Sequence, residues 1–596
     1  MCSHKSNFIN IVPIRHLLAL SLLAIISALT PFISFWGLSK VVDAVSGAAL
    51  GTNIILYIIL MGFFLVTNDT FEAIRWTYST FLEGKIFLEM KEKLLSKVAN
   101  WKYIDIFENP NFLNKLNFAD QSIPRFHGFF NSLAMLVSGV LGSLPFLWIG
   151  FTTRWWIPVA IILGFLPSLI VKWNLEERLW ALEIQNGEEY KEAGVQESML
   201  LGQAFAKEIR LWNIAPFILN KWKNNRRNLL AESSALRNKS MVLTLLANLF
   251  EGITDCAVIA YLYFMISYGE LTSGKFVFAV TAVIQLRQNA FTVLLFGLDI
   301  KVAFDRLKPF FEILNYEYIK KENIINTGTQ QTIIQNEYIA LKNVSFTYPD
   351  CSIKALNDIN FSVHKKEKVA VVGVNGSGKS TLIKLISGMY PVETGEYFFA
   401  GRNANEIPHE EFGKFFSAVF QDFAKFPMSF EENVIAADLG KISLSDSTYA
   451  IDKERFDLLC DKFPIKNGLL NSSSLLTRQF ENGLDLSGGE WQRIALMRCA
   501  WADRDVVLLD EPAAALDPDS EYEVIDAMLN LIKDKTAIIV THRLALCKKA
   551  DRIIVMDAGR IIEEGHHNEL MNKRGKYAAM YNKQGEHYRG DTYINA

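Results

Sequence analysis

Apolar residues gather in long unbroken runs before about residue 300 and in short, alternating ones after it. Runs able to cross a hydrocarbon layer as helix, which takes about 20 residues, fall at about 16 to 38, 53 to 68, 130 to 151, 156 to 173, 243 to 268 and 276 to 298. Six spans put both termini on one side. The first run lacks the small-residue cleavage chemistry of a secretory signal and is followed by five more, so it is expected to persist as a membrane helix. The segments 73–129 and 174–242 hold roughly eight and ten Lys or Arg, against about one in each short connection (Lys40, Arg154, Lys275), which by the positive-inside rule puts both long loops and both termini in the cytoplasm. Those loops keep helical spacing of apolar residues, as from Phe81 to Leu95, so the helices should continue beyond the membrane.

Hydropathy falls after Asp299, and the polar stretch from Lys320 to Asn336 reads as a linker. Short Val/Ile strands then alternate with helical patterns, as in a soluble α/β domain of about 260 residues. The organisation read from the chain is a membrane domain over 1–305, a linker over 306–336 and an α/β domain over 337–596. Composition agrees: 50% hydrophobic residues, 21% charged and a mean hydropathy of +0.15 do not suit an ordinary soluble enzyme. The net charge of −3 lacks the positive field of a nucleic-acid binder. The six cysteines (Cys2, Cys256, Cys351, Cys460, Cys499 and Cys547) are far apart and form no metal-ligand spacing, so they are expected to be reduced, buried thiols.

The strongest chemical signal is the segment Val371 to Thr381, a buried strand entering a glycine-rich loop and then a helix. It has the full G-x-x-x-x-G-K-[ST] spacing of a phosphate loop, with Gly373, Asn375, Gly376, Ser377, Gly378, Lys379, Ser380 and Thr381. Backbone N–H groups freed by the glycines wrap phosphate oxygens, Lys379 neutralises their charge, and the Ser380 hydroxyl suits Mg²⁺. Downstream, Val506 to Glu511 is a buried strand ending in two carboxylates, where an α/β sheet presents ligands. Asp510 there suits Mg²⁺ and Glu511 an attacking water. Between them, Ser487, Gly488 and Gly489 open a helix whose N–H groups suit a second phosphate contact.

Together these three segments resemble the nucleotide-binding domain of the ATP-binding cassette (ABC) transporters, and six spans fused to one such domain resembles an ABC exporter half. The resemblance implies a polytopic α-helical membrane domain fused to an α/β P-loop ATPase domain, using ATP and Mg²⁺. It implies that Tyr348 stacks on adenine, Gln421 contacts Mg²⁺ and relays motion, Asp517 in Ala515-Leu516-Asp517 touches a partner domain, and His542 contacts the γ-phosphate. It also implies two ATPase domains paired head to tail, each signature loop facing the other's phosphate loop, so a second chain is required. Glu490 departs from the commonest signature, which has Gln. Glu511 and His542 are both present, which favours a homodimer. Asp105 to Phe112 and Ala206 to Trp212 resemble the two coupling helices of ABC exporters.

Cargo is less determined. Glu251 and Asp255 share a helical face, and Arg287 with Gln285 and Gln288 lies in another span, while Asp69 and Glu72 repeat the pattern. These charges either line a wet cavity for cationic or polar cargo, with Glu251, Asp255 and Arg287 as its candidates, or neutralise one another to fix helix packing. The segments Val419 to Phe426, Phe480 to Gly483, Gly489 to Arg493 and Glu511 to Pro518 resemble bacterial exporters of modified peptides, the lantibiotic type. About 15 residues precede the first span, too few for a leader-cleaving protease, so leader removal is expected elsewhere. The expectation is an ATP-driven exporter in the cell membrane, among lipid, with its ATPase domain in the cytoplasm, a peptide cargo and no nucleic-acid partner. Competing readings are a lipid or drug exporter with the same engine, and an ATP-dependent membrane sensor.

Overall fold

The computed structural model describes residues 14–47, 53–126, 128–316, 337–349, 351–438, 443–445, 448–465, 470–512 and 518–590. They divide into two units, one of residues 1–99 and 114–317 and the other of residues 100–113 and 318–596.

The first unit is helical. Its long helices are α1 (Ile14–Val45), α2 (Ile54–Ala99), then, after the short α3 (Asp105–Glu108), which falls in the second unit, and α4 (Pro110–Ser122), α5 (Phe129–Thr153) and α6 (Trp156–Gln185). After α7 (Gly187–Leu201) and α8 (Ala206–Leu211) come α9 (Ala215–Ser267) and α10 (Ser273–Leu314). Five of them, α1, α2, α5, α6 and α9, are long and apolar enough to cross a bilayer. The run 276–298 lies in α10, which is not among the five and carries Gln285, Arg287, Gln288 and Asn289 in mid-run. α10 also continues to Leu314, into the stretch read as linker. At about 1.5 Å per residue, α2 and α9 are much longer than a hydrocarbon layer of about 30 Å. Beyond the apolar run, α2 buries Leu82, Ile86, Met90 and Leu94 at four-residue intervals, so a single packed stripe carries the helix on. Small residues let helices approach: a Cβ on Gly164 would meet the Thr254 side chain at 3.0 Å.

The second unit holds two larger sheets and a small hairpin. One is antiparallel in the order β2-β1-β4-β5, from β1 (Ile339–Phe346), β2 (Leu356–Val363), β4 (Thr394–Phe399) and β5 (Arg402–Asn403). The other runs β12-β11-β3-β10-β9-β6, from β3 (Lys368–Gly373), β6 (Phe416–Val419), β9 (Val506–Asp510), β10 (Thr536–Val540), β11 (Arg552–Asp557) and β12 (Arg560–Gly565). The hairpin is β7 (Ser443–Ser445) with β8 (Thr448–Ala450). β9 and β10 are buried at every position, as expected of parallel strands covered on both faces. In parallel register, Val540 pairs with both Asp510 and Val371, so β3, β10 and β9 end side by side and deliver their loops to one edge. Of the thiols, Cys499 and Cys547 are buried, but Cys256 and Cys351 are exposed, which corrects the expectation of buried cysteines. Cys256 sits on a membrane helix, where an apolar solvent makes outward exposure of a thiol inexpensive. Cys2 and the linker stretch 320–336 lie outside the described residues.

Candidate functional site

The loop after β3 turns through Gly376 and Gly378, both with positive φ, and Gly378 N-caps helix α11 (Lys379–Ile386). At Gly378 (φ +101°) a Cβ would lie 2.8 Å from the Ala355 carbonyl oxygen, so strain and space both require glycine. Asn375 is exposed, and Ser377 is buried with no hydrogen-bond partner for its Oγ. Lys379 is buried, and its ammonium donates to the carbonyls of Gly373 and Val374 at 3.0 Å each. Burial lowers its pKa, against the opposing pull of Glu511 and Asp510.

Asp510 ends β9 and is buried; burial raises its pKa, while a hydrogen bond with Ser380 acts the other way. Its Oδ1 has no hydrogen-bond partner. An unpartnered buried carboxylate oxygen beside a serine hydroxyl is the donor set a hard cation takes when phosphates supply its other ligands. Among the described residues no group of three or more His, Cys, Asp or Glu side chains is placed to hold a metal ion. Next along the chain, Glu511 adopts φ +49°, uncommon for a residue with a Cβ, while its N–H donates to the Val540 carbonyl at 2.9 Å. Its Oε1 lies 2.7 Å from Nδ1 of His542, which follows β10. The structure thus brings Lys379, Ser380, Asp510, Glu511 and His542 to one sheet edge, though they are far apart in sequence. Asp422, which the sequence reading passed over, also raises the Asp510 pKa; its one signal was its place beside Gln421 after β6. Gln421 is exposed at that strand's end, and Val419 pairs with Leu509.

Tyr348 stands half-exposed, with its hydroxyl 3.0 Å from Thr381 Oγ1 and its ring edge-on to Tyr390. Tyr390, only 2% exposed, donates its hydroxyl proton to Glu108 of α3, and Ile104 N–H donates to the Met389 carbonyl at 3.0 Å. Burial and that carboxylate push the Tyr390 pKa up. The segment 105–108 therefore packs within the second unit.

Ser487 N-caps helix α12 (Gly488–Ala502) in a capping box: its Oγ accepts from the Glu490 N–H at 3.3 Å, and the Glu490 carboxylate accepts from the Ser487 N–H at 2.8 Å. α12 belongs to an apolar cluster built on Trp491, Leu496 and Trp501, separate from the one under the phosphate loop that holds Val371 and Leu382. Asp517, with Ala515 and Leu516, lies outside the described residues.

In the membrane unit, Glu251 is 6% exposed and accepts from Ser168 Oγ at 3.2 Å. Arg287, 48% exposed, reaches Glu251 at 2.7 Å and Asp255 at 3.3 Å. The three candidate charges form one group tying α6, α9 and α10. Glu72 is 3.9 Å from the buried Arg75.

Residues 356–514 match the ABC transporter family. The chain is 28% identical over 586 residues to the subtilin transport ATP-binding protein SpaT of Bacillus subtilis, covering 96% of this chain and 91% of that one. It is 27% identical over 579 residues to the nisin transport ATP-binding protein NisT of Lactococcus lactis subsp. lactis, covering 95% and 93%. An ATP-dependent lipid A-core flippase of Pseudomonas syringae pv. tomato is 34% identical over 270 residues, 45% of this chain and 43% of that protein. The fold is shared with a bacterial Atm1-family ABC exporter solved with ATP bound, at a TM-score of 0.76, 19% identity and coverage of 96% and 98%.

Proposed function

We propose that this chain, which carries an ABC transporter ATP-binding domain in an exporter-type fusion and couples ATP hydrolysis to transport across a membrane, pairs with a second copy to export a peptide of the lantibiotic type from the cytoplasm. The observation that carries the peptide reading is the extent of similarity: it runs nearly end to end with the subtilin and nisin transport proteins, whereas that with lipid A-core flippases spans between 44% and 58% of the chain.

In this reading Lys379 and the loop N–H groups hold the β- and γ-phosphates of ATP, with Tyr348 against the base. Asp510 and Ser380, with Gln421, hold Mg²⁺, which supplies charge neutralisation on the phosphates when bound. Glu511 orients the attacking water and accepts its proton, and His542 holds the γ-phosphate and the Glu511 carboxylate in line. Ser487, Gly488 and Gly489 act on the nucleotide of the opposite chain, with Asp517 at that junction. Closure of the two ATPase domains then moves the membrane helices through segments such as 105–108. The termini and ATPase domain are cytoplasmic, following loop charge.

The flippase similarity makes lipid the second reading. Inside-out vesicles carrying the chain separate the two. ATP-dependent uptake of a cationic lantibiotic precursor, with hydrolysis stimulated by that peptide, is the expected result. Translocation of labelled lipid with no response to peptide would overturn the peptide reading.

A further inference from the structure

The last described helix, α14 (Lys576–Gly590), reaches back to the loop that carries His542. The Gln584 side chain donates through Nε2 to the His542 carbonyl at 2.9 Å, and its Oε1 accepts from the Leu544 N–H at 2.9 Å. One amide thus grips the backbone on both sides of Arg543. Leu544 begins α13 (Leu544–Cys547), and the N–H groups of a helix's first turn have no acceptor within the helix, so the Gln584 oxygen takes up one of them.

The far end of this grip is fixed. Tyr577, fully buried, packs in a cluster with Val372, the residue before Gly373 of the phosphate loop. Glu563 of β12 accepts from the N–H groups of Lys576 and Tyr577, holding the first turn of α14. His542 itself is half-exposed, and its ring bonds to Glu511. A half-exposed ring keeps one place only if its backbone is held, and a hydrogen-bonded outer partner is the usual means.

We infer that Gln584 is a positioning residue for hydrolysis: its amide sets the backbone of the His542 loop, and through it the reach of the His542 ring to Glu511 and to the terminal phosphate. This rests on the role proposed above for His542. The amide has a donor and an acceptor, and both are used. A carboxylate at 584 keeps the acceptor for Leu544 and sets a negative oxygen against the His542 carbonyl, until protonation restores a donor.

The test uses the full chain in lipid nanodiscs, with steady-state ATP hydrolysis by wild type, Gln584→Ala, Gln584→Glu, His542→Ala and the double variant Gln584→Ala/His542→Ala. Thermal unfolding and ATP binding report on folding. A displacement of the ring on a scale that misaligns the reacting groups lowers kcat by about tenfold in Gln584→Ala and leaves KM within about twofold. In the His542→Ala background the same change costs nothing further. Gln584→Glu, which keeps the acceptor for Leu544 but sets a negative oxygen against the His542 carbonyl near neutral pH, lowers kcat at least as far as Gln584→Ala. Equal losses in both backgrounds, or a raised KM with unchanged kcat, would overturn the clamp alone. Wild-type turnover in His542→Ala would overturn the role of His542 and the clamp with it.

Discussion

Two groups of charges stand in this chain, and they differ in how far they have been spent. At the edge of the parallel sheet, Lys379 bonds to carbonyls of its own loop and Asp510 keeps a buried oxygen with no partner. In the membrane unit, Arg287 bonds to both Glu251 and Asp255. Backbone geometry makes the difference. Strands buried on both faces fix their ends, so the Asp510 carboxylate stays where it is although one of its oxygens has no hydrogen-bond partner. Helices in an apolar medium have no such scaffold, and a charge is stable there only beside its opposite. A charge held by backbone is available to a ligand; a charge held by another charge is available only if the ligand outcompetes it.

Asp510→Asn has the largest expected effect. It removes the unspent oxygen, so hydrolysis falls at least about 100-fold, the loss expected when a transition-state contact is deleted. Folding stability moves the other way. Burial raises the Asp510 pKa in the folded chain, so the ionised form carries a cost that is full above the raised pKa and fades as pH falls through it. Asp510→Asn without nucleotide therefore melts higher than wild type near neutral pH, and the gain shrinks as the solution is acidified. A lower melting point at neutral pH would mean that the carboxylate is already satisfied.

The membrane group gives a smaller effect. Glu251→Ala leaves Ser168 without that acceptor and Arg287 with Asp255 alone, costing about 1–2 kcal/mol, since the half-exposed guanidinium keeps access to water. Thermal unfolding checks this, with basal hydrolysis unchanged. Unchanged stability with loss of peptide stimulation would move these residues to the cargo path.

How much of this was legible beforehand follows the same division. The phosphate loop, Asp510 and Glu511 could be read because their chemistry needs fixed spacing over a few residues on a strand-loop-helix frame. Tyr348, Gln421 and His542 drew their weight from motif order. Gln584 could not be read, since its contact with His542 spans 42 residues and carries no local pattern. The true lengths of α2 and α9 were only partly visible, because hydropathy marks the stretch facing lipid and not the packed stripe that continues it. The pairing of Arg287 with Glu251 depends on helix rotation, which spacing within either helix does not determine.

The smallest effect is at Glu490. Glutamine also closes a capping box with Ser487, so Glu490→Gln leaves ATP turnover within about twofold. A larger change would mean that the Glu490 charge, and not the cap, serves the signature loop.

In the proposed reading, two copies of this chain form a complete ATP-driven motor. The direct measurement is Mg²⁺-dependent ATP hydrolysis by the chain purified alone in lipid nanodiscs, wild type beside Glu511→Gln. Hydrolysis by wild type, lost in Glu511→Gln while ATP binding remains, is the predicted result. Retained hydrolysis in Glu511→Gln, or silence from a folded wild type that binds ATP, would contradict it.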